Sequence, residues 1–462
     1  MSAALNSRRV GMDLTEGSIF KCLTVFASPI VLAALIQQLY SVADLAIIGK
    51  YMGNLGTVGV SLGGEVSDMV TPVATAFSTA GQIYIAQLIG ARKTEGVKSA
   101  IGTLLTMMAL LSLALAAVSL IFCRGILGLL NCPEDALQQA VNYQVITAVG
   151  IPFIYGYNAV CGILRGMGES KAPMIFIIIA AVVNIFLDLI FVMVFQWEAA
   201  GTAIATVVAQ LASFLAAWLF MLRHKEQFGV ELKLACFKID KGDAVVILRV
   251  GVPQAIRSSL VRLSMFWVNS QVNAYGMVVS STNSIGNKMQ KFLDIFSASY
   301  AQASAAIIGQ SLGAGKKERA GKVVWCTLIY CLTIASVISA LTVIFPRFTF
   351  GIFTNDEGVL AMAPLYLRIL VAHFIWSAVV SAFQSMVIGS GYASMNFAIG
   401  ILDGIVCKIG LGYLFAYVLQ MEATGFFLGT AWSRALPALI CFIYFMSGRW
   451  KTRRLLLDKK QK

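Results

Sequence analysis

Hydrophobic positions in this chain fall in long blocks, not in the alternation of a half-buried strand or the stripe of a surface helix. About twelve such runs cover 19–48, 58–88, 99–121, 137–160, 172–195, 200–222, 245–272, 278–308, 322–344, 361–387, 396–418 and 425–447. Each is long enough to cross the hydrocarbon layer as a helix, which takes about 20 residues. Backbone facing lipid must satisfy its own hydrogen bonds, and runs of this length predict helices, not the short strands of a β-barrel. The connections are short except for the polar stretch RHKEQFGVELKLACFKIDKGD at 223–243. The pattern therefore predicts an all-α polytopic membrane protein of 12 transmembrane helices in two six-helix bundles. The first bundle occupies 1–222, a cytoplasmic linker 223–243, the second bundle 244–448 and a basic cytoplasmic tail 449–462.

An internal repeat supports the division. QLIGARKTEG at 87–96 matches QSLGAGKKER at 310–319, an offset of 223 residues. The same offset pairs Tyr143 with Tyr366, Gly166 with Gly389, Gly168 with Gly391 and Gly53 with Gly276, and Pro29 falls within one residue of Pro253. Several weak matches at one spacing argue for duplication. An even number of helices per half keeps both halves in the same orientation, related by a pseudo-twofold axis along the membrane normal, as in some alternating-access transporters.

Composition agrees: of 462 residues, 58% are hydrophobic and 12% charged, and the mean hydropathy is +0.81. A soluble domain is nearer a quarter charged. The net charge of +13 would suggest a nucleic-acid partner in a soluble protein, but here the bases lie in short loops and the tail. With both termini inside, alternate loops and ends hold 24 Lys and Arg, among them Arg8, Arg9, Arg92, Lys93, Arg165, Lys238, Lys317 and Arg319; the opposite loops hold Lys50, Arg124 and Arg347. That bias predicts a multi-pass protein of the cytoplasmic (inner) membrane with both ends cytoplasmic. Seven of the 24 bases are in the tail, which either flanks the last helix or lies on an anionic leaflet. The partners expected are the lipid bilayer and small molecules, without nucleic acid, and a monomer suffices. The nine cysteines form no CxxC motif and there are two histidines, so a zinc site is not expected. No signal-peptide cleavage pattern precedes the first run, which is expected to remain as a helix. GQSLGAGKK lacks the GxxxxGKS/T order and a preceding strand, so ATP is not expected to drive the protein. No cofactor and no enzyme chemistry are expected; an ion gradient, H⁺ or Na⁺, is left as the energy source.

Charges inside hydrocarbon are costly and usually face a cavity or a partner. Asp44 lies toward the outer end of the first run and Asp188, in NIFLDLIF, toward the outer end of the fifth. Asn184 precedes Asp188 by four residues and shares its helix face. Two carboxylates of equal depth in one wet pocket permit proton uptake near neutral pH, and with an amide they also offer oxygen ligands to Na⁺. Glu65 and Asp68 share a face of the second run, and the offset of 223 maps them onto Lys288 and Lys291, with Asp294 three residues on. These five form either static salt bridges or an inter-bundle charge gate. Arg257 and Arg262 in the seventh run either neutralise Asp294 or meet an anionic substrate group, and His373 and Trp376 in the tenth line a possible cavity. Pro29 removes a hydrogen bond from the middle of the first run and favours a bend there.

Read together, several stretches carry a family resemblance: SPIVLAALIQQLYSVADLAIIGKYMG at 28–53, IAQLIGARKTEG at 85–96, GILRGMGESKAPM at 162–174, NIFLDLIF at 184–191, EAAGTAIATVVAQ at 198–210 and AQASAAIIGQSLGAGKKERA at 301–320. In order and spacing the chain resembles the multidrug and toxic compound extrusion (MATE) transporters, with a pattern like the branch of bacterial DNA-damage-inducible and archaeal members. The resemblance implies a secondary active antiporter that exports amphipathic, often cationic, drugs or metabolites in exchange for H⁺ or Na⁺. It implies that two bundles rock around a central cavity by alternating access. For that branch it implies an ion and substrate site on Asp44, Asn184, Asp188 and Thr202, with a bend of the first helix at Pro29. Another branch keeps acids in the seventh and tenth helices; here those positions are basic or neutral. The alternative is a flippase for a lipid-linked precursor, which shares the general architecture and predicts an electropositive cavity.

Overall fold

The computed structural model describes residues 11–51, 53–129, 132–225 and 238–461. Most of the expected linker, and Arg8, Arg9, Lys233 and Lys462 among the counted bases, lie outside the described residues. The long helices, here α1–α12 in chain order, are Ile19–Tyr51, Gly53–Gly90, Thr94–Ile121, Glu134–Gly166, Lys171–Val194, Glu198–Arg223, Lys241–Asn273, Met277–Gly313, Lys317–Ile344, Glu357–Gly389, Ala393–Val418 and Glu422–Met446. Among the described residues, ten are long and apolar enough to cross a membrane. The other two, α2 and α8, are of comparable length but carry the Glu65/Asp68 and Lys288/Lys291/Asp294 groups and many Gly, Ser and Asn residues, which dilute their hydropathy. Local signals place several ends. Asp356 caps α10, its Oδ1 accepting from the Val359 N–H at 3.0 Å, and Pro133 precedes α4, whose first turn holds Glu134 and Asp135. Acids at these positions complement the helix dipole.

The duplication is written into the helix boundaries. Thr94, Ile121, Glu134 and Gly166 bound α3 and α4; shifted by 223 they become Lys317, Ile344, Glu357 and Gly389, which bound α9 and α10. Short helices Cys123–Leu129 and Pro346–Gly351 start at matching places, and Gly168 and Gly391 both adopt positive φ, 90° and 72°. The tyrosine pair that marked the repeat has a packing reason. A Cβ on Gly63 of α2 would lie 3.0 Å from the Tyr143 ring, and one on Gly286 of α8 would collide with the Tyr366 ring. In each half a bare backbone position receives a tyrosine from the helix that crosses it. Tyr366 is buried and hemmed by Phe427, 4.7 Å between ring centres, so it cannot move aside. Gly286→Ala is therefore expected to destabilise by ~1–3 kcal/mol, outweighing the helix propensity that alanine adds, at most ~1 kcal/mol. Thermal unfolding in detergent checks this, and adding Tyr366→Leu should recover part of the loss.

The helices group into two compact units, one built on Ser28–Gly251 and the other on Val252–Asp458 together with Leu14–Ala27. The start of α1 thus belongs to the second unit and the start of α7 to the first, with Pro29 and Pro253 beside the two divisions. In the first unit, buried Asp243 holds the start of α7 by accepting from the Tyr84 hydroxyl at 2.7 Å and from Ser99. In the second, Arg319 donates to the carbonyls of Leu14, Glu16 and Gly17 at 3.1, 2.8 and 2.7 Å, so one of the bases counted for topology also anchors the N-terminal segment. The basic tail docks on the second unit. Trp450 is buried, stacks parallel to Phe445 and donates to its carbonyl at 2.9 Å, Arg453 lies 3.5 Å above the Tyr392 ring, and Leu456 packs on Gly391.

Candidate functional site

Within the first unit, α1 and α5 bring the expected acids together. Asp188 is the last residue of the α-helical part of α5, after which the chain continues as a π-helical turn, Leu189–Val194. Such widened turns recur at functional sites because they re-aim the side chains beside them. Asp188 is 1% exposed, Asn184 is buried one turn before it, and Asp44 on α1 is half-buried. The Asp44 and Asp188 carboxylates are within hydrogen-bonding reach of each other. Placed by its hydrogen-bond network, the Asn184 amide donates from Nδ2 to Asp44 Oδ1 at 2.8 Å and Oδ2 at 3.2 Å. Among the described residues, nothing donates to either oxygen of Asp188. Two facing carboxylates served by one amide cannot both stay ionised in an apolar surround without a proton or a cation between them. That is the chemistry this arrangement can do: take up one small positive charge and release it.

Thr202 is buried in the first turns of α6, and Pro29 is buried in α1. Beyond Asp188, Phe191, Trp197 and Phe195 stack on one another, with ring centres 5.2 and 5.3 Å apart from Phe191 to Trp197 and from Phe195 to Trp197. Phe195 and Trp197 are exposed. This flat aromatic surface close in sequence to the acid pair was not picked out from the sequence, although FVMVFQW at 191–197 carries it openly.

The charges of α2 and α8 lie in different settings. Glu65 is half-buried, Lys288 and Lys291 are exposed, and the Lys288 ammonium sits 5.6 Å from the Phe353 ring centre within its own unit; the side chain of Asp68 lies outside the described residues. Asp294 requires a correction. The guanidinium that meets it is not that of Arg257 or Arg262 but Arg434 of α12, which grips both carboxylate oxygens at 2.7 and 3.0 Å. Ser377 donates to Asp294 at 2.6 Å, and His373 Nε2 lies 3.7 Å from it. Asp294 is thus committed inside the second unit. Arg257 of α7 instead donates to Gln384 Oε1 at 3.4 Å, Arg262 is half-buried on the same helix, and Trp376 packs against Trp432 at 5.8 Å. Asp403, Lys408 and Arg434 carry the same charge-in-hydrocarbon signal as the residues chosen from the sequence, and that signal could have found them.

Comparison with known proteins agrees with this organisation. The MatE family model matches residues 29–190 and 253–418, one stretch in each half. The "Probable multidrug resistance protein YoeA" of Bacillus subtilis is 25% identical over 446 residues, 96% of each chain. A solved structure described as MATE in the bent conformation has a TM-score of 0.89 at 20% identity, covering 97% of this chain and 98% of that one. Another, MATE in the straight conformation, has a TM-score of 0.88 at 21% identity, covering 98% and 99%. With the greater part of the sequence matched in two stretches, the chain belongs to the MatE family of multidrug and toxic compound extrusion transporters.

Proposed function

We propose that this transporter exports amphipathic, cationic drugs or metabolites in exchange for H⁺ or Na⁺, and that the exchange is set by Asp44, Asn184, Asp188 and Thr202 of the first unit. The observation that carries the proposal is the buried Asp188 carboxylate, which faces Asp44 and receives no donor among the described residues. The pair is neutralised by an ion from outside or opposed by a cationic substrate from inside. Because both use one negative charge, binding of either weakens the other, and that mutual weakening is the coupling. The stacked Phe191, Trp197 and Phe195 supply a flat apolar surface that suits hydrophobic cations without demanding a particular shape.

Pro29 leaves α1 short of one backbone hydrogen bond, and structures of similar transporters are described in bent and straight conformations. This supports bending of α1 as the step that separates Asp44 from Asp188. The α1–α5 acid pair also supports assignment to the DNA-damage-inducible and archaeal-like branch. The bias of Lys and Arg supports both termini in the cytoplasm, the twelve long helices support two six-helix bundles, and a monomer contains the whole proposed site. Exposed Lys288 and Lys291 leave a charge gate toward Glu65 and Asp68 as part of the proposal, now without Asp294.

The test is efflux of ethidium from proteoliposomes driven separately by a pH gradient and by a Na⁺ gradient. One of the two gradients is expected to drive transport. Efflux that neither gradient accelerates would remove the antiport reading.

A further inference from the structure

The second unit contains a buried ionic cluster whose charges do not cancel. Its bases are Arg257 on α7, Lys408 on α11 and Arg434 on α12; its acids are Asp294 on α8 and Asp403 on α11. Asp294 is used by Arg434 through the two-pronged contact described above. Asp403 is the acid that acts on Arg257; it acts on Lys408 together with Asp294, and it accepts from Ser433 at 3.4 Å. Lys408 is 3% exposed. With Lys408 charged, the bases of this cluster exceed its carboxylates by one among the described residues, in a setting where an unbalanced charge is expensive.

The neighbours of Arg257 are acceptor-poor and held in place. Its Nη2 meets the neutral Gln384 Oε1 at the long distance of 3.4 Å, while its buried Nε has no partner among the described residues. Gln384 is fixed by donating to Asn396 at 2.8 Å, and Asn396 in turn donates to Gln254, so this chain of amides has no spare carbonyl to turn toward the guanidinium. A Cβ at Gly400 would collide with the Arg257 stem; that glycine on α11 leaves the room in which the arginine lies. Arg257, Arg434 and Asp294 are all half-buried, so the cluster reaches the surface of the second unit at that edge. The Trp376–Trp432 pair lies on the same two helices, α10 and α12, as the network members Ser377 and Ser433.

We propose that the second unit carries an anion site of its own, centred on the Arg257 guanidinium between α7, α10 and α11, which takes the carboxylate of a small aromatic acid. The planar fork of arginine matches a carboxylate in two directions, Lys408 supplies the uncompensated positive field, and the tryptophan pair offers an apolar face for the ring. The site extends the substrate class from cations to zwitterions and organic acids, and it does not depend on the Asp44–Asp188 pair.

The test uses the purified full-length protein in detergent at constant ionic strength in NaCl. Ligand-induced thermal stabilisation is measured with benzoate, with its neutral amide benzamide, and with benzylamine. Benzoate is expected to stabilise the wild type beyond NaCl alone, while benzamide and benzylamine do not. Arg257→Gln is expected to weaken the benzoate effect by at least ~tenfold in apparent affinity, and Lys408→Met to weaken it in the same direction. Asp188→Asn is expected to leave it intact. The two second-unit variants provide independent readings should one of them fold poorly. No stabilisation by benzoate, equal stabilisation by benzamide, or full benzoate binding in both Arg257→Gln and Lys408→Met would overturn the proposal.

Discussion

Replacing Asp188 by Asn is expected to lower gradient-driven ethidium efflux by about 100-fold, near the upper range of coupling between two ligands, while the protein folds normally. Asn keeps the size of the side chain and removes the charge that ion and drug share. In the wild type this carboxylate is buried against another acid with no donor to it among the described residues, an arrangement that costs folding energy. Its neutral amide can donate to Asp44. Thermal stability of Asp188→Asn should therefore equal or exceed that of the wild type, which separates loss of coupling from loss of structure. Efflux at the wild-type rate in a folded Asp188→Asn protein would remove Asp188 from the mechanism.

Arg434→Met is expected to produce the largest loss of stability, ~3–5 kcal/mol, the range for removing one partner of a buried ion pair. The variant leaves Asp294 without the guanidinium that meets both of its oxygens and leaves Ser377 without its second partner. The companion expectation is strong non-additivity. Arg434→Met combined with Asp294→Leu should be more stable than Arg434→Met alone, because the stranded charge is gone. Thermal unfolding of the three proteins measures this directly, and additive losses would show that Asp294 does not depend on Arg434.

Much of the fold was legible because a membrane simplifies the reading. A run of apolar residues long enough to cross needs no partner to be recognised, and the helices of each half end where Gly, Pro and charged clusters sit in the sequence. The repeat was legible too, because duplicated packing such as Tyr143 on Gly63 and Tyr366 on Gly286 preserves residues at one offset. The acid pair could be anticipated from depth alone, since Asp44 and Asp188 fall at matching heights, and the four-residue spacing brought in Asn184. That no donor among the described residues reaches Asp188 could not be read, because this depends on neighbouring helices whose register periodicity does not fix. The partner of Asp294 was missed for the same reason. Arg257 and Arg262 lie closer in sequence, while Arg434 is 140 residues away and reaches Asp294 only through the packing of the second unit.

The central claim is that ion and cationic substrate compete for one charge, and ion release upon substrate binding tests it most directly. Tetraphenylphosphonium is added to the purified transporter in weakly buffered detergent solution, with proton release followed by a pH indicator and Na⁺ release by radioactive Na⁺. The wild type should release about one ion per cation bound, of one kind, and the ion should weaken tetraphenylphosphonium binding by the same factor by which tetraphenylphosphonium weakens its own. Asp188→Asn should release none. Tight tetraphenylphosphonium binding by the wild type with neither H⁺ nor Na⁺ released would contradict the account.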